Sequence, residues 1–256
     1  MLSPQKYMSK WRVMPLAIAD QQQHIDLSER LLATAEPGQP ATLYWSQAEP
    51  VGLVLGYSQK HAILNQSALA THQIPVYHRR AGGTAVLVGP QLLSLDVVLP
   101  TNHPLILPDV VESYRWFGQA WVEALLLLGI EARAVSPQEA HKQRALLKQA
   151  ETHAREAILH RACYGSLSSY EVVVDQRKVV GLDMVRRRVG SLLQAGVLLH
   201  WQTETLAQLL GHTPEEQALL REGLYQHAVG LDTLADRVIR AQEVIAAFEQ
   251  VIFAME

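Results

Sequence analysis

Apolar positions recur along this chain with two different periods. Between Asp20 and Ala35, the residues Ile25, Leu27, Leu31 and Leu32 supply one face of a helix. A longer helix is predicted over Asp109 to Leu128, where Val110, Tyr114, Phe117, Trp121, Ala124 and Leu128 follow helical spacing and Gly129 stands where a C-terminal cap belongs. The tail repeats the pattern: Leu234, Val238, Ala241, Ile245, Phe248 and Ile252 form a single stripe, which predicts a C-terminal helix over 232–254. Elsewhere the apolar runs are short and bounded by turn residues. Leu43 to Trp45 and Val51 to Leu55 flank Ala48-Glu49-Pro50, while Pro75 to Arg79, Ala85 to Val88 and Leu92 to Leu99 are punctuated by Gly82-Gly83 and Gly89-Pro90. Tyr170 to Val174 and Lys178 to Val180 predict a hairpin around Asp175-Gln176, and Ser191 to Leu199 predicts a further strand. Ser58 to Gln73 is polar, with one short helix at Gln66 to His72, and 138–160 reads as a highly charged helical insertion with few leucines. Strands followed by a long helix, then more strands and helices, predict an α+β fold with mixed or antiparallel sheets packed with helices. Without a repeat or flexible linker, residues 1–256 read as one domain.

Composition narrows the function classes. A chain of 256 residues that is 48% hydrophobic can bury a substantial core, and a net charge of −3 provides no global field for nucleic acid or an anionic membrane. The opening from Met1 to Met14 carries Lys6, Lys10 and Arg12 without an apolar centre, unlike a signal peptide. The longest apolar candidate, Ala124 to Ile130, falls far short of the roughly 18 residues that cross a bilayer, so a soluble, cytoplasmic protein is expected. Cys163 is the single cysteine, which excludes an internal disulfide and a multi-cysteine zinc site. The eleven histidines are scattered. His141, His153 and His160 fall in the charged segment and read as solvated, so no metal site is expected.

Two segments carry candidate chemistry. In Arg79-Arg80-Ala81-Gly82-Gly83-Thr84-Ala85-Val86, paired glycines let the backbone approach a ligand and two guanidinium groups stand nearby. That suits a phosphate or an extended acyl chain, and it equally suits a plain turn between strands. In Tyr170-Glu171-Val172-Val173-Val174-Asp175-Gln176-Arg177-Lys178-Val179-Val180-Gly181, a lysine among apolar neighbours suits a donor to a carbonyl oxygen, or simply a hairpin lysine. Cys163 alone is compatible with a nucleophile or with an inert, buried small side chain.

Together and in this order, the segments resemble the lipoate–protein ligase and octanoyltransferase superfamily. Trp11-Arg12-Val13, Tyr44-Trp45-Ser46 with Val54 to Gln59, then Gln194 and Gly196, and the amphipathic tail extend the resemblance along nearly the whole chain. It implies a catalytic domain like those of class II aminoacyl-tRNA synthetases and biotin ligases. It further implies that Arg79, Arg80, Gly82, Gly83, Thr84 and Ala85 shape the acyl site and that Lys178 contacts the reacting carbonyl. The order of Cys163, Ser168, Tyr170, Glu171 and Lys178 is similar to the branch with a cysteine nucleophile, in which Ser168, Tyr170 and Gly181 are expected near substrate. A thiolate suits such work because it is an intrinsically potent nucleophile.

The implied reaction takes an octanoyl group from acyl carrier protein, through a Cys163 acyl-enzyme, to a lysine of a lipoyl carrier domain such as glycine cleavage H protein or a 2-oxoacid dehydrogenase E2. It needs no dissociable cofactor. The rival readings are an ATP- and Mg²⁺-dependent lipoate–protein ligase and a non-catalytic acyl- or carrier-binding paralogue. The departures Ala81, Val88, Leu182 and Ala195, where relatives carry polar groups, favour the latter. Arg186 to Arg188 suits either an acidic carrier or a solvated strand edge.

Overall fold

The computed structural model describes residues 11–235 and 237–255. The opening segment, read above as unlike a signal peptide, lies outside them up to Lys10. In chain order the strands are β1 (Trp11–Ala19), β2 (Ala41–Ala48), β3 (Gly52–Leu55), β4 (Val76–His78), β5 (Val86–Val88), β6 (Leu92–Pro100), β7 (Arg133–Ala134), β8 (Val172–Val174), β9 (Arg177–Arg187) and β10 (Gly190–Leu198). The helices are α1 (Gln21–Ala33), α2 (Gln66–His72), α3 (Arg115–Leu127), α4 (Pro137–Leu146), α5 (His153–Leu159), α6 (Glu204–Leu210), α7 (Pro214–His227), α8 (Leu231–Leu234) and α9 (Ala241–Ala254). The fold is α+β, as the pattern predicts.

The strands sort into two sheets. A seven-stranded sheet runs β1-β2-β6-β10-β9-β8-β7, parallel only between β1 and β2, and a three-stranded sheet runs β4-β3-β5. Alternation gives the large sheet two different faces. Leu43, Trp45, Leu95, Val97, Leu193 and Val197 point to one side, against α3 and α9. There Phe248 stacks 4.2 Å from Trp121 and meets Trp45 edge-on at 5.7 Å, while the Trp45 indole donates to Glu249 at 2.9 Å. On the other side, Leu32 of α1 packs on Val98 and Leu192, and the small sheet packs on Leu92 and Leu198. Between these two apolar patches the face is not filled by core side chains.

Several elements follow local chemistry closely. Asp20 caps α1 through the Gln22 N–H, and Gly129, at φ +82°, closes α3 with the Ile130 N–H returning to the Leu125 carbonyl. Asp175 and Gln176 both take positive φ, giving the β8–β9 turn the twist that flanking strands require.

Three predicted helices differ in extent. The helix expected from Asp109 begins at Arg115, after a single turn at Glu112–Tyr114, and Val110 and Val111 are exposed. The charged helix expected over 138–160 is two helices. The Thr152 hydroxyl donates to the Leu146 carbonyl and the His153 ring pairs with the Leu147 carbonyl, so side chains take over the acceptors that helix continuation would use. The second of the two contributes to the core, since Leu159 is fully buried among α7 residues. The C-terminal helix expected over 232–254 starts only at Ala241, where Glu243 accepts the Arg240 N–H, and Val238 is left exposed. Residues 204–227, which carry no clear apolar stripe, form α6 and α7, with Thr213 capping and Pro214 opening the latter.

The aromatic cluster on the helix-covered face predicts a large truncation cost. Phe248→Ala should lose about 3–5 kcal/mol in urea denaturation. A loss below about 1 kcal/mol would contradict the packing described here.

Candidate active site

The β8–β9 hairpin brings a buried ion pair into the fold. Lys178, on β9, and Glu171, just before β8, are 1% and 2% exposed, and their charged groups meet at 2.7 Å. Burial pushes the Glu171 carboxyl up; the Lys178 charge and the N–H groups of Ser168 and Leu182 oppose that shift. The Lys178 ammonium also donates to the Cys163 carbonyl at 2.7 Å and lies 5.4 Å from the centre of the Tyr164 ring. An ammonium has three donors, so these two acceptors leave one for a further partner.

Cys163 opens a one-turn helix, Cys163–Gly165, and is fastened on its other side by the glycine loop. Its N–H donates to the Ala85 carbonyl at 2.8 Å, while the Ala85 N–H donates to Arg161 at 3.0 Å. Gly82-Gly83 enters this bridge with Gly83 at φ +81°, a conformation that favours glycine. Arg79 holds the loop from inside: Nε donates to the Gly82 carbonyl at 3.0 Å and Nη2 to the Thr84 carbonyl at 3.2 Å. Asp183 lies 3.6 Å from the same guanidinium.

Two cavities meet at Cys163. Arg79, Cys163, Leu182 and Asp183 border both. The outer one opens between Gly83, Thr84, Tyr114, His160, Ser168 and Lys178. The inner one runs beneath Tyr164 over the unfilled face of the large sheet. Gly181 and Gly196 make room there; a methyl at Gly196 would lie 3.0 Å from the Tyr164 hydroxyl, which donates to the Gly196 carbonyl. Its roof is apolar, with Val54, Val86 and Val88, while its floor carries Ser46, Ser94, Asp96 and Gln194. The arrangement suits covalent chemistry at a thiol between an outer approach and an inner chain-binding space.

The profile of the lipoyl protein ligase A/B catalytic domain matches residues 20–253. The chain belongs to that family. Among its relatives, octanoyltransferase LipM of Anoxybacillus flavithermus is 30% identical over 93% of this chain and 83% of its own length. The namesake from Brevibacillus brevis is 29% identical over 95% and 86%. The fold is similar to that of a bipartite lipoate protein ligase of Thermoplasma acidophilum, solved in a study with its E2 lipoyl domain, at TM-score 0.73 and 16% identity over 94% and 80% of the two chains. It is also similar to that of a lipoate–protein ligase A bound with ATP, at TM-score 0.68 and 17% identity over 94% and 83%.

Of the residues singled out in the sequence, this member of the lipoyl ligase family brings Cys163, Lys178, Arg79, Gly83, Thr84, Ser168 and Gly181 to the two cavities. Ala85 serves through its backbone. Gly82 contributes its carbonyl to Arg79. Arg80 points away, pairing with Glu29 at 2.7 Å on the outside of α1. The Tyr170 hydroxyl donates to Glu112 at 2.6 Å, and its side chain borders neither cavity. His160, read above as solvated, is exposed and also borders the outer cavity, with Nδ1 paired to the Ser166 hydroxyl at 3.1 Å. Among the departures, Leu182 borders both cavities and Ala195 the inner one while both also pack with the main core, Val88 forms roof, and Ala81 lies outside both cavities. Glu171, Asp183 and Tyr164 received no role from the sequence. Glu171 was visible within the tyrosine–glutamate pair, and Asp183 as a charge inside an apolar strand. Among the described residues, no group of three His, Cys, Asp or Glu is arranged to hold a metal ion, and no helix is long and apolar enough to cross a membrane.

Asp183 allows a test by pH. Burial raises its carboxyl above the ordinary value more than Arg79 and the Met184 N–H lower it. A carboxyl raised on folding holds its proton more firmly in the native state, so stability falls as pH climbs from the unfolded value through the folded one. Asp183→Asn is expected to melt above the wild type near pH 7, with the difference closing toward about pH 4. A variant that instead melts below the wild type near pH 7, with that loss disappearing toward acid, would mean that the Arg79 attraction outweighs burial.

Proposed function

We propose that this chain is an acyltransferase of protein lipoylation. It moves an octanoyl group from the thioester of an acyl carrier protein, through Cys163, to one lysine of a lipoyl carrier domain, of the kind found in glycine cleavage H protein or a 2-oxoacid dehydrogenase E2. The observation that carries this reading is the position of Cys163 at the meeting point of the two cavities, with its carbonyl held by the buried Lys178. The octanoyltransferase relatives supply the reaction class.

The Cys163 thiolate attacks the thioester carbonyl and the carrier thiolate leaves, a nearly balanced exchange of one thioester for another. The remaining Lys178 N–H is available to the developing oxyanion, in a site preorganised before substrate arrives. The amine of the acceptor lysine then attacks the Cys163 thioester, loses its proton, and releases the Cys163 thiolate, leaving an amide. Glu171 keeps the ammonium fixed, and Ser168 fixes Glu171 through its N–H at 2.6 Å.

The ligase reading would bring ATP, Mg²⁺ and an acyl-adenylate to the same place. The charge pattern fits that group poorly. The Arg79 donors are turned to loop carbonyls, and the Asp183 carboxyl lies 3.6 Å from the same guanidinium. A polyanion gains little from a guanidinium already engaged by its own loop.

Incubation with octanoyl acyl carrier protein in the absence of ATP is expected to leave one octanoyl adduct on the intact protein, lost in Cys163→Ala. Transfer by the alanine variant at the wild-type rate would end the covalent mechanism. Modification of a lipoyl domain only when octanoate, ATP and Mg²⁺ are supplied would establish a ligase instead.

A further inference from the structure

The inner cavity has a floor that a plain hydrocarbon chain does not call for. Strand register shows how it is built. Across β2, β6, β10 and β9, one row of paired residues is Tyr44, Asp96, Gln194 and Asp183; the next is Ser46, Ser94, Gly196 and Gly181. Members of both rows lie two residues apart on each strand and therefore share one face. The rows on either side are apolar, Val98 with Leu192 and Val185 against α1, and Leu92 with Leu198 under the small sheet. Thr42, paired with Val98, is the polar exception in the first of these rows, so the strip that the cavity covers is where polar side chains concentrate.

Within that strip the groups are only partly satisfied: the Tyr44 hydroxyl pairs with the His24 ring at 2.6 Å, while others keep hydrogen-bonding capacity. Asp96 is 6% exposed; Oδ1 accepts from the Gln194 amide at 2.9 Å and Oδ2 from the Ser28 hydroxyl, which leaves lone pairs on both oxygens. Ser46 is 5% exposed, borders the cavity, and its hydroxyl has no hydrogen-bond partner among the described residues; the Ser94 hydroxyl beside it has none either. Covering an unpaired buried hydroxyl with hydrocarbon costs free energy that a hydrogen-bonding ligand group would recover. The location fits as well. Cys163, Asp183 and Asp96 line the same cavity, and Asp183 and Asp96 stand two strands apart, about 9.5 Å by strand spacing, a span within the length of a medium-chain acyl group.

We infer that the inner cavity takes a medium-chain acyl group carrying a hydroxyl on its distal carbons, which donates to Asp96 and accepts from Ser46 or Ser94, in preference to an unsubstituted chain. This rests on the acyl-transfer reading and refines which acyl group the site selects.

The full-length Cys163→Ala protein, which cannot be acylated at that position, is titrated calorimetrically with octanoyl, 6-hydroxyoctanoyl and 8-hydroxyoctanoyl pantetheine thioesters. At least one hydroxylated thioester is expected to bind about tenfold or more tighter than the octanoyl one, the scale set by a hydrogen bond that a site is built to make. Adding Ser46→Ala, a change small enough to leave the fold intact, should weaken the hydroxylated ligand severalfold and tighten the octanoyl one, since the hydrocarbon then covers no unpaired hydroxyl. Adding Asp96→Leu, checked by its melting curve, should reverse the preference. Octanoyl binding as tight as that of both hydroxylated thioesters would overturn the inference alone, leaving bound water to satisfy the floor. If no thioester binds and wild-type Cys163 accepts no acyl group, both the inference and the acyl-transfer reading fall.

Discussion

The contact on which the site depends is the buried pair of Lys178 and Glu171. Neither charge is tolerable alone at that depth, and together they are still costly, because desolvation offsets most of their attraction. A well-packed apolar pair would serve the fold at least as well. What the ion pair provides is a fixed ammonium whose second hydrogen bond holds the Cys163 carbonyl and whose third donor remains free. The β8–β9 hairpin, its two-residue turn and the Ser168 N–H all serve to bring these two side chains together in one orientation.

A second constraint is alternation in the large sheet. The same strands that bury Leu95, Leu193 and Trp45 against α3 and α9 present Asp96, Gln194 and Ser46 to the opposite side. The helix-covered face provides the apolar burial, which frees the other face to be hollow. Tyr164, directly after Cys163, lies over the two glycines of that face and connects the Cys163 turn to the floor of the inner cavity. The glycine loop closes the arrangement from the other side through Ala85, so three segments distant in sequence converge on one cysteine.

Much of this was legible in the chain. Strong periodicity marked α1, α3 and α9, and the turn at Asp175-Gln176 announced the hairpin that carries Lys178. The breaks at 147–152 and 237–240 were not legible, because neither contains a glycine or proline; in the first, a threonine hydroxyl and a histidine ring take the carbonyls. Strand patterns also say nothing about which strands pair, so the separate small sheet was hidden. The adjacent arginines show the limit within the site: chemically alike, Arg79 turns inward to brace the loop and Arg80 turns outward to Glu29. A signal is present in β6, where Ser94 and Asp96 interrupt an apolar run at strand spacing, though the resemblance to a family with apolar acyl substrates assigns those residues no role.

The central claim is that the Lys178–Glu171 pair exists for chemistry at Cys163 and not for stability. The most direct measurement compares Glu171→Leu, Lys178→Met and the double variant, by melting temperature and by the single-turnover rate of Cys163 acylation from octanoyl acyl carrier protein. Each single variant leaves one charge buried and should lose about 3–5 kcal/mol of stability. The double variant should recover that stability, yet acylate about 10²–10³ times more slowly than the wild type. A double variant that acylates at the wild-type rate would contradict the account.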